Sequence, residues 1–239
     1  MKKNILFLVL FVLIISIGTA HAESDKPRIG VLRFTNHVGG LGWWHGTVGD
    51  DLQDMLASEL VSAGEFTVLE RNEINAVLGE QDLSASGRVS KATLVKMKKL
   101  KGAKYLVAGT VSAWEESSAQ GGGIRFKGIS LGGTKEKTYI AVDVKVVDTE
   151  TGEIYDARTI EANAKGSSIS AGLSLRNFSI GGADAKKTPA GKAIRACIVY
   201  IAEYLSCSLV NGKDAPCMKK WNEMDTKRKE KTKSSISLD

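Results

Sequence analysis

Residues 139–154 read YIAVDVKVVDTETGEI. The β-branched and aromatic run from Tyr139 to Val147 predicts a strand. Asp148-Thr149-Glu150-Thr151-Gly152 is a turn sequence, and the chain beyond it returns as a second strand over residues 153–162, closing a hairpin. YLVAGTVSAW at 105–114 is a further strand, and so is RIGVLRF at 28–34, which follows Pro27. Val48, Leu52, Met55, Leu56 and Leu60 recur at helical spacing, with Asp50 and Asp51 in the first turn and Gly64 just past the end. Residues 66–69 read as a strand and 72–81 as a helix. SKATLVKMKKL at 90–100 reads as another helix whose lysines solvate its outer face, and a last amphipathic helix spans 190–205. The order β-α-β-α-α-β-β-β-α predicts an α/β (α+β) domain, a mixed sheet with flanking helices and a mostly antiparallel half.

Two polar, glycine- and serine-rich segments interrupt this order, at 115–137 and 163–187, and each exceeds an ordinary connection. The first contains two patterns that mimic catalysis. Gly128-Ile129-Ser130-Leu131-Gly132 fits the G-x-S-x-G elbow of serine hydrolases, but that elbow needs a strand before it, a helix after it and a downstream histidine. Residues 135–147 read as strand, and no histidine follows His45. Gly128 and Gly133 with Thr134-Lys135 resemble a phosphate loop, yet the lysine and hydroxyl stand in reversed order and no helix N-terminus follows to supply amides. His37 and His45 share one loop, but H-E-x-x-H and C-x-x-C are both absent, so no metal site is expected. No cofactor is implied, and no enzyme is recognisable.

Alternation is the remaining signal in these segments. Ile124 and Phe126 alternate with Arg125 and Lys127 before the apolar positions shift to Ile129 and Leu131. In the second segment Ile169, Ala171, Leu173 and Leu175 alternate with Ser168, Ser170, Gly172, Ser174 and Arg176. Such alternation fits membrane β-hairpins, and it also fits a flexible surface loop.

The ends of the chain bound its compartment. Lys2 and Lys3, an apolar run from Ile5 to Ile17, and Ala20-His21-Ala22 make a signal peptide over residues 1–22, with export after cleavage. No cysteine precedes Cys197, so lipidation is not expected. The 33 Lys and Arg against 27 Asp and Glu give a net charge of +6. Much of the excess sits in residues 218–239, which read as a basic, flexible tail rather than a nucleic-acid groove. Cys207 and Cys217 flank Asn211-Gly212, a turn dipeptide, and are the candidate disulfide of an exported protein. Cys197 lies on the apolar face of the last helix and reads as a core thiol.

Three stretches carry a resemblance: GEFTVLERNEINAVLGEQ (64–81), LKGAKYLVAGTV (100–111) and IAVDVKVVDTETGEI (140–154). In that order and spacing they resemble the CsgG family, the curli production assembly/transport components of bacterial outer membranes. The resemblance runs from about Pro27 to Leu205. It implies a periplasmic domain, residues 23–217, carrying two β-hairpin inserts per subunit. A ring of subunits would then build one barrel that exports protein subunits. The glycines of the first segment would serve a barrel hairpin. The alternative within this fold is a soluble periplasmic adaptor or activator of an envelope-assembly complex, without a pore. The loop holding Trp43-Trp44-His45 occupies the place of the family's pore constriction, so these three residues are candidates for that role. The competing reading packs the tryptophans against the first helix.

Overall fold

The computed structural model describes residues 26–95, 99–120, 124–126, 129–131, 134–165 and 188–235. The hairpin that begins at Tyr139 is the spine of its sheet. Strand β7 (Thr134–Asp148) pairs antiparallel on one side with β4 (Tyr105–Gln120) and on the other with β8 (Ile154–Lys165). Strand β1 (Arg28–Val31) joins β4 in parallel and carries β3 (Thr67–Leu69), also parallel, on its far side. The short β2 (Thr35–Asn36) extends the β1 side along β4. The order is β3-β1-β4-β7-β8, a mixed sheet whose second half is antiparallel.

Side-chain parity explains which face is buried. Ile140, Val142, Val144 and Val146 of β7 and Ile160, Ala162 and Ala164 of β8 are all buried, each set spaced by two. On β4 the buried apolar set is Tyr105, Val107 and Val111, and then the register shifts between Val111 and Ala113. Ser112 is the extra residue of a β-bulge, so Trp114 pairs with Ile140 and stays on the core face. On the opposite face Asp143 and Lys145 are exposed.

Two helices cover the apolar face. α1 (Val48–Ala63) buries Leu52, Leu56 and Leu60 and ends on Gly64 at φ 72°, a left-handed cap. α2 (Ile74–Ala85) buries only Ser84. α3 (Pro189–Leu205) begins with Thr188, whose hydroxyl accepts the Gly191 amide at 3.1 Å, and buries Ile194, Cys197, Ile198, Ile201 and Leu205. Residues 189–211 are long and apolar enough to cross a membrane, but this burial against the sheet makes α3 the core helix. It runs on as a π-helical segment, Ser206–Asn211.

Two expectations change. Residues 90–95 and 99–100 form turns and coil rather than helix. Leu94 and Val95 there are each 45% exposed, and a short helix that buries no face is marginal in water. The segment from Met218, expected as a flexible tail, forms α4 (Met218–Ser234) because Met218 and Trp221 are buried. The first insert is more regular than a loop. β4 and β7 stay paired as far as Gln120 opposite Thr134, and β5 (Ile124–Phe126) pairs with β6 (Ile129–Leu131).

Candidate functional site

The arm built by β4 and β7 leaves the domain just after the bulge, and its root is an aromatic cluster. Trp114 sits there, with the Trp43 ring 4.8 Å from it and Trp44 a further 5.7 Å from Trp43 in an edge arrangement. Distances of this kind suit offset or edge-to-face aromatic contacts. The loop bearing Trp43 and Trp44 is fixed at both ends. The Asn36 side chain accepts the Val38 amide at 2.8 Å, and His37 donates its amide to Val111 at 3.0 Å. Arg33 reaches the Gly46 carbonyl and pairs with Asp50 at 3.0 Å, so the far end is held to the first turn of α1.

Of the three constriction candidates, Trp43 is 8% exposed and belongs to the core cluster. Trp44 is half-buried against that cluster, and His45 is exposed. Core packing is therefore observed for Trp43, whose ring meets Trp114 tilted at 52°. The sequence missed the Trp43–Trp114 contact, since the two residues stand 71 positions apart in the chain.

Tyr139 and Glu161 tie β7 to β8 at the same level, the phenol donating to the Glu161 carboxylate at 2.7 Å. Burial, and then this carboxylate, push the Tyr139 phenol well above its ordinary range, so it remains a donor at any physiological pH. One step further up, Lys137 pairs with both Ser117 of β4 and Lys165 of β8. Both inserts thus leave the sheet side by side at one end.

At the tip of the first insert the register places Ile124 opposite Leu131 and Phe126 opposite Ile129. The four apolar candidates thus form two cross-strand pairs, with Arg125 opposite Ser130 between them. The parity change seen in the sequence follows from the pairing of Phe126 with Ile129. Ile169, Ala171, Leu173 and Leu175 lie outside the described residues. Ser130 of the hydrolase-like pattern is in β6, and β7 rather than a helix follows it. Among the described residues no group of three or more His, Cys, Asp or Glu could hold a metal.

Behind α3, a disulfide joins Cys207 of the π-helical segment to Cys217, with the Cα atoms 6.0 Å apart. It brings α4 back onto the domain. Trp221 meets Tyr204 at 5.7 Å and Tyr200 at 6.4 Å, and Arg158 donates to Asn222 at 2.8 Å while lying over the Tyr204 ring. Cys197 is buried and free, with its thiol pushed far up by desolvation, so it is no nucleophile.

An α+β domain with an antiparallel arm rising from one end of its sheet is the class that these observations define. The chain matches the family model described as "Curli production assembly/transport component CsgG" over residues 12–236, and it belongs to that family. Among solved structures it is similar to the hypothetical protein CT253 from Chlamydia trachomatis, with a TM-score of 0.44 and 12% identity over 77% of this chain and 99% of that one. It is also similar to protein XCC0632 from Xanthomonas campestris, with a TM-score of 0.40 and 12% identity over 79% and 89%. The PelC dodecamer from Paraburkholderia phytofirmans gives a TM-score of 0.36 and 10% identity over 74% and 87%. No curated protein matches the chain.

Proposed function

We propose that this protein is a non-enzymatic subunit of a CsgG-type secretion or assembly channel. It is exported past a signal peptide at residues 1–22 and forms homo-oligomeric rings in which two hairpins per subunit build an outer-membrane β-barrel. The cargo is an exported protein. The observation that carries this reading is the shared root of the two inserts. β4, β7 and β8 are hydrogen-bonded side by side where both inserts depart, up to Ser117, Lys137 and Lys165. Adjacent antiparallel strands leaving one end of a sheet are what a barrel assembled from several chains requires, because closure removes every edge. The register of β5 and β6 adds two apolar cross-strand pairs at the tip.

A second reading has its own observation. The paired stem below that tip is polar in sequence, with Glu116, Ser117 and Ser118 opposite Thr138, Lys137 and Glu136 in register. Such a stem suits water, and a soluble periplasmic adaptor in an envelope-assembly complex would use it as a docking arm. Cell fractionation separates the two. The channel reading expects the protein in the outer-membrane fraction, released only by detergent, and rings in negative-stain images of the extract. A monomer confined to the soluble periplasmic fraction would leave the adaptor.

A further inference from the structure

The two edges of the sheet carry opposite charge. Residues 48–85, which form α1, β3 and α2 beside one edge, hold nine Asp and Glu against a single Arg71. At the other edge α4 holds seven Lys and Arg against three acidic residues, with five of those cations between Lys227 and Lys233. α4 is fixed against β8 through Arg158 and Asn222, whereas α2 follows β3. Four interstrand steps separate β3 from β8, which is roughly 19 Å at ~4.8 Å per step. The two charged helices therefore do not meet within one molecule.

Each helix also leaves an apolar residue uncovered inside its charge. On α2, Val77 is 39% and Leu78 41% exposed. Glu73, Val77 and Glu80 follow one another at i, i+4 and i+7, a single row along the helix. On α4, Met224 is 41% exposed, and Lys220, Met224, Lys227 and Lys231 form a row of the same spacing. The rows match in order and differ only in sign: acid, valine, acid against lysine, methionine, lysine. Among the described residues Glu73, Glu80, Lys227 and Lys231 make no ion pair, while Lys220 reaches Glu203 at 3.5 Å. Next to α2, burial raises the Asp54 carboxyl against a hydrogen bond from Asn72, and the carboxylates of Glu70, Asp51 and Asp50 add to the rise.

We infer that α4 of one copy of this chain docks along α2 of the next, with Met224 against Val77 and Lys220 and Lys227 against Glu73 and Glu80. This assigns the contact surface of the ring proposed above and rests on that reading. Two unlike patches on opposite sides of a subunit make a head-to-tail contact, which propagates and closes into a ring when the rotation permits. Mutual neutralisation also explains why a self-associating surface is so charged: complementary charge fixes register and rejects the inverted pairing.

The test uses the full-length chain in detergent, followed by sedimentation velocity over a range of concentrations. Glu80→Lys alone sets lysine against lysine, and Lys227→Glu alone sets carboxylate against carboxylate. Each is expected to raise the concentration of half-assembly roughly tenfold or more, and more so at low salt. Mixing the two variants in equal amounts restores both contacts, so assembly should return to the wild-type level, which misfolded chains could not do. Wild-type assembly by either variant alone, or no recovery on mixing, would overturn this surface and leave the ring standing. A wild-type chain that stays monomeric at every concentration would overturn both.

Discussion

Gly109 lies where Phe34 crosses β4, and a Cβ there would come within 2.3 Å of the phenyl ring, so the glycine of the YLVAG strand is a packing requirement. The LER sequence has a comparable account. Leu69 closes β3, Glu70 accepts the amides of Asn72 at 2.6 Å and Glu73 at 3.0 Å, and the Arg71 side chain lies 3.1 Å from where a Gly30 Cβ would be. Those backbone bonds, foremost the one from Glu73, hold the Glu70 carboxyl below its ordinary value of 4.5. A depressed carboxylate stabilises the fold above its unfolded value, and the contribution is lost as pH falls through the folded value. Protection of the Asn72 and Glu73 amides, relative to their intrinsic exchange rates, should therefore be high at neutral pH and fall below about pH 4.5. In Glu70→Ala it should be low throughout, and unchanged protection in that variant would remove the cap. Trp43 gives a second residue-scale prediction. Trp43→Ala should destabilise by ~3–5 kcal/mol in thermal melts, as for a core aromatic. Exposed His45→Ala should stay within about 0.5 kcal/mol. An undisturbed melt for Trp43→Ala would contradict its place in the core. The sequence left both roles open for Trp43, because only Trp114, brought beside it by the β4 bulge, decides between them.

Strands β4, β7 and β8 were legible because a sheet with one buried face writes its pattern directly into the chain. Element ends were less so. The polar residues 115–120 continue β4 because pairing with β7, rather than burial, keeps them extended. α4 was hidden for a related reason. In a lysine-rich run only Met218 and Trp221 are buried, and the Tyr200 and Tyr204 that receive Trp221 belong to another helix. The reverse error at residues 90–95 came from a helical pattern with nothing to pack against. The Cys207–Cys217 link joins the start of α4 to the π-helical segment, beside the packing of Trp221 and the Arg158–Asn222 bond. Cys217→Ser should cost ~2–3 kcal/mol on the loop-entropy account of a short closed loop. The loss should appear first as faster amide exchange in α4. Free thiols at both positions in non-reducing mass spectrometry, with α4 exchange unchanged by the substitution, would dissociate the helix from the disulfide.

Across the whole molecule the chain combines a buried α/β layer with an arm in which β4 and β7 continue beyond it. The family was legible from three short stretches in fixed order, because each closes a tight local arrangement: the Glu70 cap, the Gly109 contact and the turn after Asp148. The Asp148 carboxylate accepts the Glu150 amide at 2.8 Å, and the turn carries Gly152 at φ 74°. The opposed charges of the sheet's edges were not legible, since a net charge of +6 sums over both. The central claim is that the arms of several subunits form a pore, and planar-bilayer recording on the full-length protein tests it most directly. Detergent-extracted protein should produce stepwise currents of a single large conductance. A variant whose residues 117–135 are replaced by a short Gly-Asn turn should fold, with an unchanged melt, and conduct nothing. Absence of current from the intact protein, or equal current from the variant lacking the arm, would contradict the account.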